Sequence, residues 1–301
     1  MRNLVEIIAI HFSVRRSRNQ KKKFASFLVK EIKKSGHHIK LLRHKSLLSP
    51  SLHILSENKK EQKMVVVPYD TGSKMLIPRY KYYLLNATRN FRNEIANTTL
   101  YNILGIALLM GTYVVYQNVI KDLGVHIVWL ISVGVLVIVI SSKLFQNFNS
   151  RYNMSHRNNG VAIATTLLLE VKPEVCTSLF VDNTSTSFLG FQQIERHTYN
   201  RTVLILDTLT PKEQLYIVCN EKSEIEGELL KRKLNTIVEL IKIDNELSTK
   251  SVLKYFPNGL ILVSGKLVNN DIIVSNIRTS KDIDTDIEWL EMIKEGIKQW
   301  I

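Results

Sequence analysis

Hydrophobic residues are concentrated in one stretch of the chain, residues 98–145. Its first run, residues 98–120, contains no formally charged residue, and its second run, residues 125–145, contains only Lys143. At 1.5 Å of rise per residue, each run is long enough as a helix to cross a hydrocarbon core of roughly 30 Å. The connector at residues 121–124 supplies a charge pair and Gly124, as expected of a turn. The pattern predicts a transmembrane helical hairpin; the alternative is an apolar hairpin buried in a protein core.

Shorter apolar runs alternate with amphipathic segments on both sides of this stretch. Their spacing predicts helices over residues 3–35, 161–171, 223–243 and 284–300. Strands are predicted over residues 51–55, 64–68, 177–181, 202–206, 214–219, 260–263 and 272–274. This order is typical of an α/β domain with a mostly parallel central sheet.

Two of the predicted strands end close to a carboxylate. Asp70 follows the run 64–68, and Asp207 follows the run 202–206. Because open α/β sheets place their sites at the carboxyl ends of strands, Asp70 is a candidate for a functional site. Asp70 in the sequence Tyr69-Asp70-Thr71-Gly72 is equally well explained as a turn residue.

The excess of positive over negative charge is confined to the first half of the chain. Residues 1–150 carry 23 Lys and Arg against 7 Asp and Glu, whereas residues 151–301 carry 18 against 20. By the positive-inside rule, both flanks of the predicted hairpin lie in the cytoplasm and its turn faces outward. The expected location is therefore the cell membrane, with the lipid bilayer as a partner. The two cysteines fit a reducing compartment.

The segment before the first apolar run interleaves tyrosines with cations. Residues 78–97 include Tyr80, Tyr82, Tyr83, Arg79 and Lys81. Next to a membrane span this composition indicates an interfacial belt. A surface that stacks nucleic-acid bases would look similar, but the sequence has no nucleic-acid-binding motif, so no nucleic acid is expected. A metal site at His37 and His38 is the minor alternative to an ordinary loop.

Taken in order, the predicted elements resemble the di-zinc aminopeptidase family, which includes bacterial leucyl aminopeptidases and the peptidase-like domain of the transferrin receptor. In that family a strand leads to His-x-Asp-Thr, and here a strand leads to Pro68-Tyr69-Asp70-Thr71. The zinc-binding His is replaced by Pro68, while the orienting Asp is kept as Asp70. The family's Asp-Asp-Asn-x-Ser-Gly-Val-Ala corresponds to a stretch that begins at Ser155 and lacks a carboxylate: Ser155-His156-Arg157-Asn158-Asn159-Gly160-Val161-Ala162.

Three further family positions complete the resemblance. Counting back from Gly190, the general base and its neighbouring ligand, both Glu in the family, fall on Thr184 and Ser185. The strand that ends in Asp is kept at Asp207, and the final His becomes Arg278. The resemblance implies a three-layer aminopeptidase-like domain in two parts, residues 1–97 and 146–301, interrupted by the hairpin at 98–145.

The resemblance also implies that the zinc chemistry has been lost. Only Asp207 survives among the expected metal ligands, and proline, arginine and hydroxyl groups are unsuitable or poor zinc ligands. Thr184 has no pKa near neutrality, so it cannot act as a general base. We therefore expect no catalytic residue and no metal, with the Arg278 guanidinium neutralising Asp207 and Asp70. The alternative is a relocated single-zinc site of Asp207 with His156 or His197, which lie near the second and fourth family positions, as Asp182 lies near the third.

The function expected on this basis is that of a catalytically inactive, peptidase-like binding or scaffold protein. Its partner would be another membrane protein or a peptide, in a transporter, peptide-export or immunity system. A working zinc-dependent aminopeptidase with one relocated metal is the alternative from a different class. A third possibility, a channel or transporter formed by the two spans, is disfavoured because such pathways usually carry ionisable residues.

Overall fold

The computed structural model describes residues 1–45, 50–57, 62–77, 80–115, 133–134, 155–185 and 187–301. The part of the chain before residue 116 contains three helices and four strands among these residues. In chain order they are α1 (Arg2–His11), α2 (Arg18–Lys34), β1 (Ile39–His44), β2 (Ser51–Ser56), β3 (Lys63–Pro68), β4 (Lys81–Tyr83) and α3 (Ala87–Val115).

The part after residue 154 alternates helices and strands more regularly. In chain order it forms α4 (Ser155–Glu170), β5 (Thr177–Val181), α5 (Leu189–Thr198), β6 (Thr202–Leu206), β7 (Gln214–Cys219), α6 (Glu224–Lys233), β8 (Val238–Lys242), α7 (Asn245–Lys250), β9 (Gly259–Val268), β10 (Asp271–Ser275) and α8 (Ile287–Trp300).

The strands of the described residues form one sheet in the order β1-β2-β5-β3-β6-β9-β10-β4, and β7 and β8 extend it from β9. Its centre is parallel, because β3 pairs in parallel with both β5 and β6, and β6 pairs in parallel with β9. Its margins are antiparallel at the β1–β2, β2–β5, β7–β9, β9–β10 and β10–β4 pairs. The α/β fold is confirmed, but the sheet is mixed rather than mostly parallel.

Side chains from successive strand residues enter two separate hydrophobic cores. In β3, Val65 and Val67 pack on the face covered by α2, α4 and α8, whereas Met64 and Val66 pack on the opposite face. All four are at most 1% exposed. This alternation follows from the two-residue period of a strand, and burial on both faces explains why β3 is a continuous apolar run.

Two predicted helices are shorter in the structure. The predicted helix 3–35 is divided, because Ser17 caps α2 in a reciprocal capping box with Gln20. The predicted helix 223–243 ends at Lys233, and its last residues form β8 on the edge of the sheet. Ser223 does not cap α6 with its side chain; it closes a capping box with Asn220 in the preceding turn.

The prediction of a two-pass membrane protein is wrong. No helix in the described part of the chain is both long and apolar enough to cross a bilayer. Helix α3 includes the predicted first span only as far as Val115, and Thr98, Thr99 and Asn102 lower the mean hydropathy of that part. The rest of the first span, and all of the second except residues 133–134, lies outside the described residues.

Helix α3 also crosses the predicted domain border at residue 97. It begins at Ala87, and its first turns pack on β4 beside the carboxyl ends of the central strands. Asn97 anchors the helix to the loop after β3, because its Oδ1 accepts from the Leu76 main-chain nitrogen at 2.7 Å. The predicted interfacial segment is therefore β4 and a helix start that form one side of a cleft.

Candidate functional site

Asp70 lies directly after β3, at the carboxyl end of the parallel part of the sheet, and is 2% exposed. Its carboxylate accepts hydrogen bonds from the main-chain nitrogens of Thr184, at 3.0 Å, and Ser185, also at 3.0 Å, and from the Thr184 hydroxyl. Burial favours a higher pKa for Asp70, but Lys21, Arg157 and these hydrogen bonds outweigh it and lower the pKa below its usual range. Asp70 is therefore an ionised carboxylate.

Arg157, in the first turn of α4, is the cation at the centre of the site. Its Nη1 donates to the Thr184 hydroxyl at 2.9 Å, and its Nε lies 3.6 Å from Asp207 Oδ1. Thr184 thus connects Arg157 to Asp70 by accepting from one and donating to the other. Burial favours a lower pKa for Arg157, but Asp207 and Asp70 raise it, so the guanidinium is a permanent charge.

Asp207 follows β6 and is 4% exposed. Its Oδ2 accepts from the Tyr82 hydroxyl at 3.3 Å, whereas its Oδ1 has no hydrogen bond among the described residues and relies on Arg157. Burial, together with Asp207, raises the pKa of Tyr82 well above its usual value, so Tyr82 stays a donor. The next residue, Thr208, has a φ of 47°, which is rare for a β-branched residue and marks a strained turn.

A second carboxylate–cation pair lies beside Asp70. Lys21 of α2 forms an ion pair of 2.5 Å with Asp182, which follows β5. Arg15, in the loop before α2, is fully buried; its Nε donates to the Tyr69 carbonyl, and its guanidinium lies 4.6 Å from the Phe24 ring centre. Burial lowers the pKa of Arg15 to about 9, so it is charged at neutral pH. Three buried carboxylates are thus matched by three cations.

His156 belongs to a separate cluster behind this network. Its Nδ1 lies 2.6 Å from Asp282, whose Oδ1 also accepts from the Ser155 hydroxyl at 3.1 Å. Burial favours a lower pKa for His156, but Asp282 outweighs burial and raises it. His197, on α5, lies on the side of the sheet near β1. Burial lowers its pKa, and the charge of Lys40 lowers it further. The Asp207 side chain pairs with Arg157 and Tyr82, and His156 pairs with Asp282. The described residues therefore give no support to a relocated zinc site of Asp207 with a histidine.

Arg278 does not neutralise Asp70 and Asp207, contrary to the prediction. Its guanidinium forms an ion pair with Glu94 of α3 and donates to the Ser73 carbonyl at 2.7 Å and the Ser185 carbonyl at 3.3 Å. Its main-chain nitrogen donates to Asp282 Oδ2 at 2.7 Å. Arg278 therefore joins α3, the loop after β3 and the loop after β5, and Gly72 is needed because a Cβ there would clash with the guanidinium.

These loops and α3 border a small, partly open cleft. It lies over the charged network, since Tyr82 and Thr184 belong to both. Its lining combines aromatic rings, hydroxyls, an amide and one carboxylate: Tyr80, Tyr82, Ala87, Asn90, Glu94, Thr184, Ser185, Ser187 and Phe188. Aromatic rings beside hydroxyl groups can contact a side chain or a small ligand group at the surface of such a cleft.

No family model and no curated protein matches the chain. Its structure is nevertheless similar to solved structures over almost its whole length. Glutaminyl cyclase from Porphyromonas gingivalis has a TM-score of 0.59 at 9% identity, with 99% of this chain and 94% of that one covered. The fold is aminopeptidase-like.

Two peptidases are among the similar structures. A Zn-dependent exopeptidase from Parabacteroides distasonis has a TM-score of 0.57 at 10% identity, with 98% of this chain and 94% of that one covered. A leucine aminopeptidase precursor from Bacteroides thetaiotaomicron has a TM-score of 0.54 at 9% identity, with 100% and 91% covered. The resemblance to the di-zinc aminopeptidases is confirmed at the level of the fold.

The residues at the site do not fit a zinc centre. Where the resemblance expects ligands, Pro68 ends β3, Ser155 bonds Asp282, and Ser185 donates its main-chain nitrogen to Asp70. In the chain as described, no group of three or more His, Cys, Asp or Glu side chains could hold a metal ion. The space beside Asp207 holds the Arg157 guanidinium, which repels a dication and has no lone pair to donate.

A hydroxyl–imidazole pair elsewhere in the cleft region does not form a nucleophile. The Ser51 hydroxyl lies 3.1 Å from His53 Nε2. However, His53 Nδ1 accepts from the Asp182 main-chain nitrogen at 3.2 Å, so the proton of the neutral ring is on Nε2. Nε2 then donates to Gln193, and the imidazole cannot take the Ser51 proton. The pair is structural.

Arg157 is the functional residue that the sequence reasoning missed. It stands in the stretch that opens α4, but the resemblance assigned no metal role to its position. The sequence feature that could have identified Arg157 is a lone cation at the start of a helix. The family has carboxylates at this helix start, and the helix dipole disfavours positive charge there. Such a residue needs nearby anions, and Asp70 and Asp207 were already identified as candidates.

Proposed function

We propose that this protein is a catalytically inactive, peptidase-like binding protein that holds a peptide or a peptide segment of a partner in its cleft. The observation that carries the proposal is the position of Arg157. Its guanidinium contacts Asp207 and Thr184 and raises the fraction of ionised Asp70 through its charge. It stands where the aminopeptidase resemblance expects metal, as a covalently attached and permanent cation.

The surrounding residues support an inactive cleft. Metal-dependent hydrolysis needs an activated water and a general base whose pKa lies near the working pH. Thr184 and Ser185 occupy the two positions that the resemblance gives to the general base and its neighbouring metal ligand. Here their main-chain nitrogens donate hydrogen bonds to Asp70 instead. Asp70 is held as an anion by its hydrogen bonds and by nearby cations, whereas burial and the charge of Asp70 raise the pKa of Asp182, which is paired with Lys21. Both carboxylates are occupied by internal partners, which leaves them badly placed to accept a substrate proton.

Binding is supported by the cleft itself. Its lining places three aromatic rings, those of Tyr80, Tyr82 and Phe188, beside the side chains of Ser185 and Ser187, a combination that can pack against a ligand side chain, whereas the Asn90 amide is bonded to the Tyr83 main chain. The ion pair of Arg278 with Glu94 fixes one wall against the others. A cleft whose walls are held by internal contacts is pre-organised, which reduces the entropy lost on binding.

The proposal is tested by metal analysis and activity measurements on the purified full-length chain. Elemental analysis after equilibration with Zn²⁺ and gel filtration should give far less than one zinc per chain. Hydrolysis of aminoacyl-p-nitroanilides and cyclisation of an N-terminal glutaminyl peptide should not exceed the rate of an Arg157→Glu variant or of buffer. Stoichiometric zinc together with hydrolysis that a chelator abolishes would reverse the proposal in favour of a working metallo-aminopeptidase.

A further inference from the structure

Helix α2 has an outer face on which every charged side chain is positive. Its buried residues, Phe24, Ala25, Leu28 and Ile32, lie on one side of the helix. At 3.6 residues per turn, the opposite side is formed by a set of side chains that are all exposed. We call this set the basic face; it consists of Arg18, Asn19, Lys22, Lys23, Ser26, Lys30, Lys33 and Lys34. It contains six cations and no carboxylate.

The charge of the basic face is not balanced by nearby carboxylates. Glu31, the one acidic residue of α2, lies on the flank of the helix and pairs with Lys34 at 2.7 Å. In the part of the chain that the structure describes, the other five cations of the face form no ion pair within 4.0 Å. On the neighbouring strand β1, Leu42 enters the core on the opposite side of the sheet, so the exposed Arg43 next to it lies on the side of α2.

The stability of the helix does not explain this arrangement. Arg18 is the first residue of α2, and no acidic residue occurs in the first turn, so the helix dipole opposes its charge. Lys22 lies four residues after Arg18, and Lys34 four residues after Lys30, which is a spacing at which like charges repel each other. Cations at these positions destabilise the isolated helix, which indicates that their role is contact with an anionic partner.

The composition of the basic face matches a phosphate backbone better than it matches an acidic protein or a lipid surface. All eight side chains donate hydrogen bonds, and Lys, Arg, Ser and Asn are side chains that contact phosphate oxygens in nucleic-acid complexes. The face has no aromatic side chain to anchor a protein interface and no large apolar side chain to insert into lipid. From Arg18 to Lys33 it is about 22 Å long, at 1.5 Å per residue, so it can reach several phosphates in succession.

We propose that the basic face of α2 binds the phosphodiester backbone of a nucleic acid without reading its bases. Contacts with the backbone carry no sequence information, so they require none of the binding motifs that the sequence lacks. Helix α2 packs on β1 and β2 at one margin of the sheet, and the basic face points away from that packing, whereas the cleft lies at the carboxyl ends of the central strands. The two proposed binding functions therefore belong to different surfaces.

Binding is measured by fluorescence anisotropy with the full chain and a fluorescein-labelled oligothymidylate of about twenty nucleotides, at several salt concentrations. Each phosphate contact with a single strand contributes about −0.7 to the slope of log K against log salt concentration. We expect a slope of about −3, which corresponds to about four contacts. A single strand of mixed sequence should bind within about threefold of oligothymidylate, because the bases are not read; a duplex of the same length determines which form is preferred.

Variants assign the binding to α2. The quadruple variant Arg18→Gln, Lys22→Gln, Lys30→Gln and Lys33→Gln should make the slope less steep by about 3 and weaken binding at 0.1 M salt by at least about tenfold. A matched control removes one Arg and three Lys that are likewise exposed, from elements at the other end of the sheet: Arg232→Gln, Lys222→Gln, Lys233→Gln and Lys266→Gln. The control has the same net charge and should bind within about threefold of the native chain. Thermal unfolding of each variant establishes that it is folded.

Several results would overturn the proposal. A slope shallower than about −2, or an equal loss of affinity in the two quadruple variants, would mean that net charge alone drives binding. Preference for oligothymidylate over the mixed sequence by more than about tenfold would show that bases are read. Tighter binding of poly-glutamate of equal charge would assign the basic face to an acidic protein. Cosedimentation with phosphatidylglycerol vesicles without binding of any oligonucleotide would assign it to a lipid surface. None of these results would affect the function proposed for the cleft.

Discussion

Replacing Arg157 by methionine removes the central cation of the cleft while keeping most of the side-chain volume. Arg157 is 7% exposed and Asp207 is 4% exposed, with 3.6 Å between Nε and Oδ1. With an effective dielectric constant of about 20, two unit charges at this distance attract by about 4–5 kcal/mol. Removal of one member of a buried pair typically costs about 3–5 kcal/mol, because the other charge is left uncompensated. We expect Arg157→Met to lower the free energy of unfolding by about that amount at pH 7.

The loss should depend on pH, and its direction follows from Asp70. In the native chain the pKa of Asp70 is lowered, so this residue stabilises the fold above its unfolded pKa of about 3.9 and stops doing so as pH falls through the lower folded pKa. Without Arg157, burial is no longer fully offset and the pKa of Asp70 rises. A raised carboxyl pKa stabilises only at low pH, so the difference between variant and native chain should shrink from pH 7 toward pH 4.

Urea denaturation followed by circular dichroism measures these free energies, and a double-mutant cycle isolates the pair. Asp207→Asn alone should also destabilise the chain, since it leaves Arg157 with less compensation. The double variant should be less destabilised than the sum of the single variants by about 2 kcal/mol or more. A loss of less than about 1 kcal/mol for Arg157→Met, or additive single effects, would refute the assignment of Arg157 as the cation that replaces metal.

Other contacts lead to further predictions. The Lys294 side chain is 4% exposed and contacts three glutamates, so Lys294→Met should lower the free energy of unfolding in urea by about 1–3 kcal/mol. The Lys298 side chain is 38% exposed, so Lys298→Met should lower it by less than about 1 kcal/mol. Equal losses would contradict this. Gly72→Ala should lower the melting temperature because its Cβ would clash with the Arg278 guanidinium. Gly111→Ala, whose Cβ would meet no atom of the described residues within 4 Å, should leave the melting temperature unchanged or raise it. Burial lowers the pKa of His53 to about 4, so NMR should show no titration of its ring between pH 7 and 5. The lowered pKa should contribute up to about 3 kcal/mol to the free energy of unfolding, present above pH 6.5 and lost on acidification toward pH 4. A titration midpoint near 6.5 would contradict this.

The buried strands were predictable because their signal is local. Residues 177–181, 202–206 and 214–219 form β5, β6 and β7 with the predicted bounds. Strands buried on both faces are continuous runs of β-branched and other apolar residues, and that composition does not depend on what packs against them. The order of these runs was enough to indicate the aminopeptidase-like fold, which structural comparison supports.

Three strands at the margins of the sheet, β1, β4 and β8, were missed for the opposite reason. In β1 three of six residues are exposed and β4 has only three residues, so neither has a continuous apolar run. The β8 strand was absorbed into a predicted helix because apolar positions from Leu229 to Ile241 also satisfy helical spacing. What ends that helix is the tertiary pairing of β8 with β7, which overrides local propensity. By contrast, Ser17 and Gln20 form a capping box that the sequence does display.

The partner of each buried cation could not be predicted, because it depends on which loops meet. Arg157 and Arg278 both lie near the carboxyl ends of the central strands, and either could have reached Asp207. Position decides between them: Arg157 points from the start of α4 toward the ends of β3 and β6, whereas Arg278 is held on the far side by Asp282, Ser73 and Glu94. The element that supplies Glu94 was assigned to a membrane-facing segment, which removed it from consideration.

A guanidinium and a zinc ion can both balance carboxylates, but they differ in what else they provide. Zinc polarises a bound water and leaves when its ligands are protonated or chelated, whereas arginine is attached to the chain and charged at every relevant pH. Arg157 can therefore keep Asp70 ionised, pair with Asp207 and hold the loops around them in place, without activating a nucleophile.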